Sequence, residues 1–211
     1  MSALPGATKA AAAGTRAASR GVSASHFASR VLVAGIGNIF LGDDGFGPAV
    51  VARIPAGGLP ASVVAHDFGI GGVHLAYELL SGIYGCVVMV DAVPMGEPPG
   101  TLALIEAGDF SAQVPGSRAR PWGAGPGEPE AGARLDAHSM SPASVLAAVS
   151  AMGGEVPRAL IVGCQPGALE ASLELSPAVE SSLDAGVELV VKVSGEEAAR
   201  LVAGTDRTGV G

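Results

Sequence analysis

The chain has 211 residues, 48% of them hydrophobic and 15% charged, with a mean hydropathy of +0.44; at roughly 100–200 residues per domain this suits one compact core. Net charge is −8, and because residues 1–30 carry Lys9, Arg16, Arg20 and Arg30 and no acid, the remainder holds −12. That excludes the basic face on which nucleic-acid binding by counterion release depends, and no apolar run approaches the ~18–20 residues of a membrane span, so neither nucleic acid nor membrane is expected as a partner.

Residues 1–29 are rich in Ala, Ser and Arg. The composition fits a disordered extension, an organelle transit peptide or a misassigned start, but not a secretory signal, because Ala10 to Ala13 is the longest apolar centre it offers. The expected fold is a single domain over 30–204, with a short tail at 205–211. Val31-Leu32-Val33-Ala34 then reads as a buried parallel strand. Phe46, Val50, Val51 and Ile54 predict a helix with Pro48 in its first turn, ended by Pro55 and Gly57. Ser62 to Asp67 predicts a second strand, leading through a glycine-rich turn into a helix bearing Leu75, Leu79 and Leu80.

Cys86 to Asp91 is a third strand, continuous and apolar, and Thr101 to Glu106 a shorter one. Between Pro115 and Arg134 ten of twenty positions are Gly, Pro or Ser, too many breakers for regular structure, so a loop is expected there. Ser141-Pro142 has a hydroxyl at the N-cap and proline at N1, and opens a helix with Val145, Leu146 and Val149. Leu160 to Cys164 is the last strand, and Ser176-Pro177 opens a final helix carrying Val179, Leu183, Val187, Val190, Val191 and Leu201. Strand and helix alternate, which predicts an α/β fold: a three-layer α/β/α sandwich around a mostly parallel sheet. Cys86 and Cys164 both fall within strands, as buried free thiols do; no disulfide framework or cysteine metal site is indicated, and a reducing, cytoplasmic compartment is expected.

Ligands of such sheets gather at the carboxyl ends of the strands. Four segments converge there: Gly35 to Asp44, Asp67 to Gly72, Asp91, and Asp136-Ala-His138. A dinucleotide site fails on the pattern, since Phe40 stands where the third glycine belongs, and Asp43 and Asp44 would repel a pyrophosphate with no Lys or Arg in the loop to compensate. No nucleotide is expected. Asp44, Asp91 and His138 instead offer two carboxylates and an imidazole, a set suited to divalent first-row metals. Plain structural roles compete: Asp43 or Asp44 as a helix cap, Asp91 as a turn residue, His138 as a surface histidine. His66 and His74 lack acidic neighbours at a useful spacing.

Gly35-Ile-Gly-Asn-Ile-Phe-Leu-Gly-Asp-Asp-Gly-Phe-Gly47, Val90-Asp91-Ala92, Asp136-Ala-His-Ser-Met-Ser-Pro142, Gly163-Cys-Gln-Pro166 and Leu175-Ser-Pro177 resemble the hydrogenase maturation protease family, in order, from about Arg30 to about Leu201. The resemblance implies a phosphorylase/hydrolase-like sandwich of five strands with one antiparallel edge strand, for which Thr101 to Glu106 is the natural candidate. It implies a metal-dependent, aspartic-type endopeptidase that removes the carboxyl-terminal extension of a nickel–iron hydrogenase large-subunit precursor once nickel is inserted.

By the same resemblance Asp44, Asp91 and His138 are the catalytic, metal-contacting residues. The metal is the nickel of the substrate precursor, with no tightly held metal of the protein's own. Asp67, Gly69, Gly72 and Asn38 are placed in substrate recognition. The family often has glutamate where Asp44 stands, so the carboxylate here is shorter by one methylene. A hydrolase holding its own divalent metal, and a non-catalytic escort of the precursor, are the alternative readings. No Ser-His-Asp order, activated cysteine or histidine-paired zinc helix motif is present.

Overall fold

The computed structural model describes residues 29–107 and 141–208. The extension up to residue 28, the loop expected at 115–134, Asp136 and His138 lie outside the described residues. The elements are β1 (Arg30–Ile36), α1 (Phe46–Arg53), β2 (Val63–Gly69), α2 (Gly72–Leu79), β3 (Tyr84–Ala92), β4 (Leu102–Glu106), α3 (Pro142–Ala151), β5 (Arg158–Cys164), α4 (Pro177–Ser181) and α5 (Leu183–Thr208). The sheet order is β2-β1-β3-β5-β4, with β4 antiparallel to β5 at one edge and the other pairings parallel.

Both faces of the central strands are covered, which is why those strands read as unbroken aliphatic runs rather than alternating ones. Side chains of period two divide them between the faces. Val31, Val33, Cys86, Val88, Val90, Leu160 and Val162 pack with Phe46 and Val50 of α1 and with Val179, Leu183, Val190, Val193 and Ala198 of α4 and α5. Leu32, Ala34, Ile36, Val87, Met89 and Ile161 pack on the other side with Leu75, Ala76 and Leu79 of α2 and with Val145, Leu146 and Val149 of α3. The α/β/α sandwich is the one expected. Among the described residues no helix is long and apolar enough to cross a membrane.

Helix α3 begins as its sequence predicts, with Ser141 Oγ accepting the Ser144 N–H at 3.3 Å and Pro142 following. The final helix does not run unbroken. It divides at Ser182, whose main-chain N–H and hydroxyl both bond the Val179 carbonyl, at 3.1 and 2.7 Å, so the chain tightens before α5 restarts in a new register. That register buries Val193 and Ala198, and leaves Val187 and Val191 only partly covered.

Cys86 and Cys164 are free and buried. Burial, reinforced by the charge of Glu197, pushes the Cys86 thiol up to about 12, and burial raises Cys164 as well. Because the thiolate is the nucleophile, neither cysteine should be alkylated by iodoacetamide in the folded protein at neutral pH, and both should react once it is denatured. Mass spectrometry before and after unfolding checks this; modification of the native chain at either position would contradict the packing.

Candidate active site

Strand order reverses between β1 and β3: the chain leaves β1 through α1 to reach β2 on one side and returns to β3 on the other. Such a switch point opens a crevice beyond the carboxyl ends of the two strands. Register fixes what meets there. Gly35 lies opposite Asp67 on β2 and Val90 on β3, and Asp91 lies opposite Gly163 on β5.

The glycines of the first motif serve close backbone packing. A Cβ on Gly47 would fall 2.2 Å from the Val90 carbonyl oxygen and 2.3 Å from that of Ile36, so only glycine lets α1 begin directly against the ends of β1 and β3. Gly37, at φ +130, leaves 1.8 Å between such a Cβ and the Asp44 carbonyl oxygen. The loop therefore folds back on itself, and the Asn38 N–H donates to Asp44 Oδ2 at 2.6 Å. The spacing that fails as a nucleotide fingerprint holds a carboxylate over the switch point.

Neither acid of the pair caps a helix. The 3₁₀ turn Gly42–Gly45 and helix α1 both begin without a side-chain cap, which removes that alternative for Asp43 and Asp44. Asp43 turns inward and is completely covered. Its Oδ2 accepts the N–H groups of Gly167 and Ala168 at 2.7 and 2.8 Å and the Ser176 hydroxyl at 2.9 Å, while Oδ1 accepts the Ser176 N–H at 2.6 Å. Burial works to raise this carboxyl, but the donors from Ser176, Ala168 and Gly167 outweigh it and hold the group below its ordinary 3.8. Sequence reasoning named Asp43 as a possible cap and as a charge that excludes a pyrophosphate, not as a clamp; the unused signal was the run of glycine and serine donors after β5.

Asp44, the next residue, is half-buried. Asp91 is neither exposed nor in a turn: it sits within β3 at 6% exposure. Burial first, then the charge of Asp44, push its carboxyl well above 3.8, opposed in part by the Ala92 N–H. Two carboxylates close enough to disturb one another at a strand end are a donor set that a cation would relieve. His138, the third member expected, lies outside the described residues, and among those described no group of three His, Cys, Asp or Glu forms a metal-holding cluster.

Of the residues placed in substrate recognition, Asp67 is exposed, and its Oδ1 accepts the Gly69 N–H at 2.8 Å. Gly69 adopts φ +51, and its carbonyl takes the Gly37 N–H at 3.0 Å, tying the second loop to the first. Gly72 opens α2 and is buried. The Asn38 side chain turns into its own loop, where Oδ1 accepts the Phe40 N–H at 3.0 Å. Asp67 also lines a groove of about 790 Å³ beside α1, together with Ile39, Ala49, Arg53, Leu173 and Glu180. The groove adjoins the carboxylate pair without including it. His66 and His74 are exposed; His66 stacks edge-on with Phe68 at 6.2 Å.

Gln165 completes the edge. Its Oε1 accepts the N–H groups of Met95 and Glu97 at 2.6 and 3.3 Å, fastening the segment after Asp91 to the end of β5. All described parts of the site thus rest on strand ends or on loops bonded to them, the condition for a preorganised constellation.

No protein-family model matches the chain. It is 32% identical over 165 residues to the hydrogenase expression/formation protein HupD of Rhodobacter capsulatus, covering 77% of this chain and 70% of that one. It is likewise 32% identical to the crystal structure of a hydrogenase 2 maturation peptidase from Thaumarchaeota archaeon SCGC_AB-539-E09, with a TM-score of 0.53 over 79% of this chain and 98% of the other. The hydrogenase maturating endopeptidase HybD from E. coli shares the fold at a TM-score of 0.58 and 24% identity, over 80% of this chain and 93% of that one. Sequence and fold together place the chain in the hydrogenase maturation protease family.

Proposed function

We infer that the protein is an endopeptidase that removes the carboxyl-terminal extension of a nickel–iron hydrogenase large-subunit precursor after nickel insertion, in the cytoplasm, and that it reads the nickel of that substrate through Asp44, Asp91 and His138. The observation that carries the reading is the pair formed by Asp44 and Asp91 at the switch point: one carboxylate half-buried, the other buried and disturbed by the first. An incomplete set of ligands on the protein is suited to a metal that arrives already held by the substrate. Cleavage then follows loading, because a precursor without nickel cannot complete the site.

Peptide hydrolysis needs an activated water and stabilisation of the tetrahedral oxyanion, and a divalent metal supplies both when bound. Asp44 is the less buried carboxylate and has one oxygen fixed by the Asn38 N–H, which orients it to take a proton from water entering the crevice. Asp91, rooted in β3, contributes a fixed position. Asp67 and the Gly69 turn flank the approach and suit contact with the substrate chain. This arrangement of acids is the sense in which the enzyme is aspartic-type and metal-dependent.

The test is intact mass spectrometry of a cognate precursor, nickel-loaded and nickel-free, incubated with the protein and with Asp44→Ala. Loss of a carboxyl-terminal fragment is expected only from loaded precursor and only with the unmutated protein. Equal cleavage of nickel-free precursor would overturn the substrate-metal reading in favour of a hydrolase holding its own metal, and binding without shortening would leave an escort.

A further inference from the structure

Large apolar side chains exposed singly are ordinary on a protein surface; a group of them on one feature is not. Ile39, Phe40, Leu41, Leu169 and Leu173 are exposed by 49, 64, 38, 50 and 74%, and all five lie on two loops that pair with each other. Leu41 bridges Ser172 in parallel, the Gly42 N–H donates to the Ser172 carbonyl at 2.9 Å, and the Ser172 N–H donates to the Phe40 carbonyl at 3.1 Å. Between them Asp43 clamps both loops through its bonds to Gly167, Ala168 and Ser176. Apolar side chains on a loop free to rearrange would fold inward; here the backbone is held so that they cannot. A surface ordered before binding is what lowers the entropic cost of association.

Among the described residues the charge around these side chains is predominantly negative, with Arg53 of α1 in the adjoining groove as the exception. The segments at the carboxyl edge of the sheet, 37–45, 67–71, 93–101 and 165–176, contain Asp43, Asp44, Asp67, Glu97, Glu170 and Glu174 and no Lys or Arg. Glu170 and Glu174 stand among the exposed leucines themselves. A second copy of this chain would bring the same acids face to face, which like charges disfavour. The complementary occupant is a protein surface with apolar depressions rimmed by lysine or arginine.

We propose that the ridge formed by Ile39–Leu41 with Leu169 and Leu173 is the docking surface for the folded body of the hydrogenase precursor, recognised through an apolar patch with a basic rim. This rests on the function proposed above, and it adds a contact made away from the scissile bond. Because Asp44 follows the ridge directly and Asp43 joins the two, docking there delivers the substrate to the carboxylates in a fixed register.

The experiment measures both binding and processing of the nickel-loaded cognate precursor by the full chain, by the double variant Phe40→Ser/Leu173→Ser, by Leu173→Ser alone, and by the charge variant Glu170→Lys/Glu174→Lys. Truncating central apolar anchors of an interface weakens binding by about tenfold or more, so KM should rise by that factor for the double variant with kcat within about twofold, and less steeply for Leu173→Ser, which keeps the test readable if the double variant folds poorly. The charge variant should lose much of the salt dependence of binding. Unchanged KM and affinity in the apolar variants, with an active unmutated protein, would overturn the docking surface and leave the protease reading standing. Unmutated protein that binds precursor through the ridge without shortening it would do the reverse, and no binding at all would end both. Self-association of the chain, lost in the same variants, would assign the ridge to a second copy.

Discussion

Asp43→Ala is expected to cost about 3–5 kcal/mol of folding free energy, the range for removing one partner from a buried charged network. The carboxylate is completely covered and satisfies three backbone N–H groups and a hydroxyl. Its removal leaves those donors without their acceptor. Asn at this position should recover only part of the loss, because an amide that keeps its oxygen toward the Gly167 and Ala168 N–H groups turns its NH2 toward the Ser176 N–H. At about 2–4 °C for each kcal/mol in a domain of this size, the melting temperature should fall by about 10 °C.

The pH dependence has a definite sign. A carboxyl held below 3.8 in the fold contributes stability that is present above 3.8 and is lost as pH falls through the lower, folded value. The gap between unmutated protein and Asp43→Ala should therefore be full at neutral pH and narrow in acid. Denaturant unfolding of both proteins across that range measures it. A gap under about 1 kcal/mol at neutral pH, the size of a single ordinary hydrogen bond, would mean that the two loops hold together without the clamp.

How much of this was legible in the sequence differs from residue to residue. The strands were, because β1, β3 and β5 are buried on both faces and so carry uninterrupted aliphatic runs, and Gly, Pro and Asp mark where they stop. The meeting of Asp44 and Asp91 was, because residues at and beyond the carboxyl ends of parallel strands come to one edge whatever the rest of the chain does. The antiparallel edge strand came from family resemblance, since Thr101 to Glu106 has no local feature that fixes its direction; its pairing runs from Leu102 with Cys164 to Glu106 with Leu160.

Asp43 was not legible in the same way. It and Asp44 are identical neighbours, and no local rule says which turns inward. The answer depends on donors at 167 to 176, whose separation from Asp43 in sequence is 124 to 133 residues. The glycine spacing was visible and failed as a nucleotide fingerprint, but its positive reason lies in packing between distant segments: Gly47 meets the backbones of β1 and β3. The register of α5 also escaped the helical pattern. Ser182 bonds back to Val179, and a serine that breaks a helix by its hydroxyl looks in sequence like one that merely sits on it.

Asp91→Asn is expected to do two opposite things: to lower processing of the loaded precursor by at least about 10–100-fold, the cost of disturbing even the groups around a metal's ligands, and to make the protein more stable at neutral pH. The second effect follows from burial. Asp91 is 6% exposed, and both desolvation and the charge of Asp44 favour its protonated form, with only the Ala92 N–H opposing them. The folded chain therefore holds the Asp91 proton more tightly than the unfolded chain does. By linkage, that contribution is favourable below 3.8 and is lost as pH rises toward the higher, folded value. Asparagine has nearly the shape of the acid and no charge to bury, so it escapes the loss. Its advantage should be absent in acid, appear as pH rises above 3.8, and be largest where Asp91 would be ionised. Thermal unfolding of both proteins across this window reads the sign directly. Asp44→Asn should relieve the same repulsion from the other side, so the double variant should gain less than the two single gains together. A less stable Asp91→Asn, or one that processes precursor at the unmutated rate, would remove Asp91 from the role argued for it. The expected combination is what the proposed function requires: a buried carboxylate pair that costs stability on its own and serves the reaction through a cation.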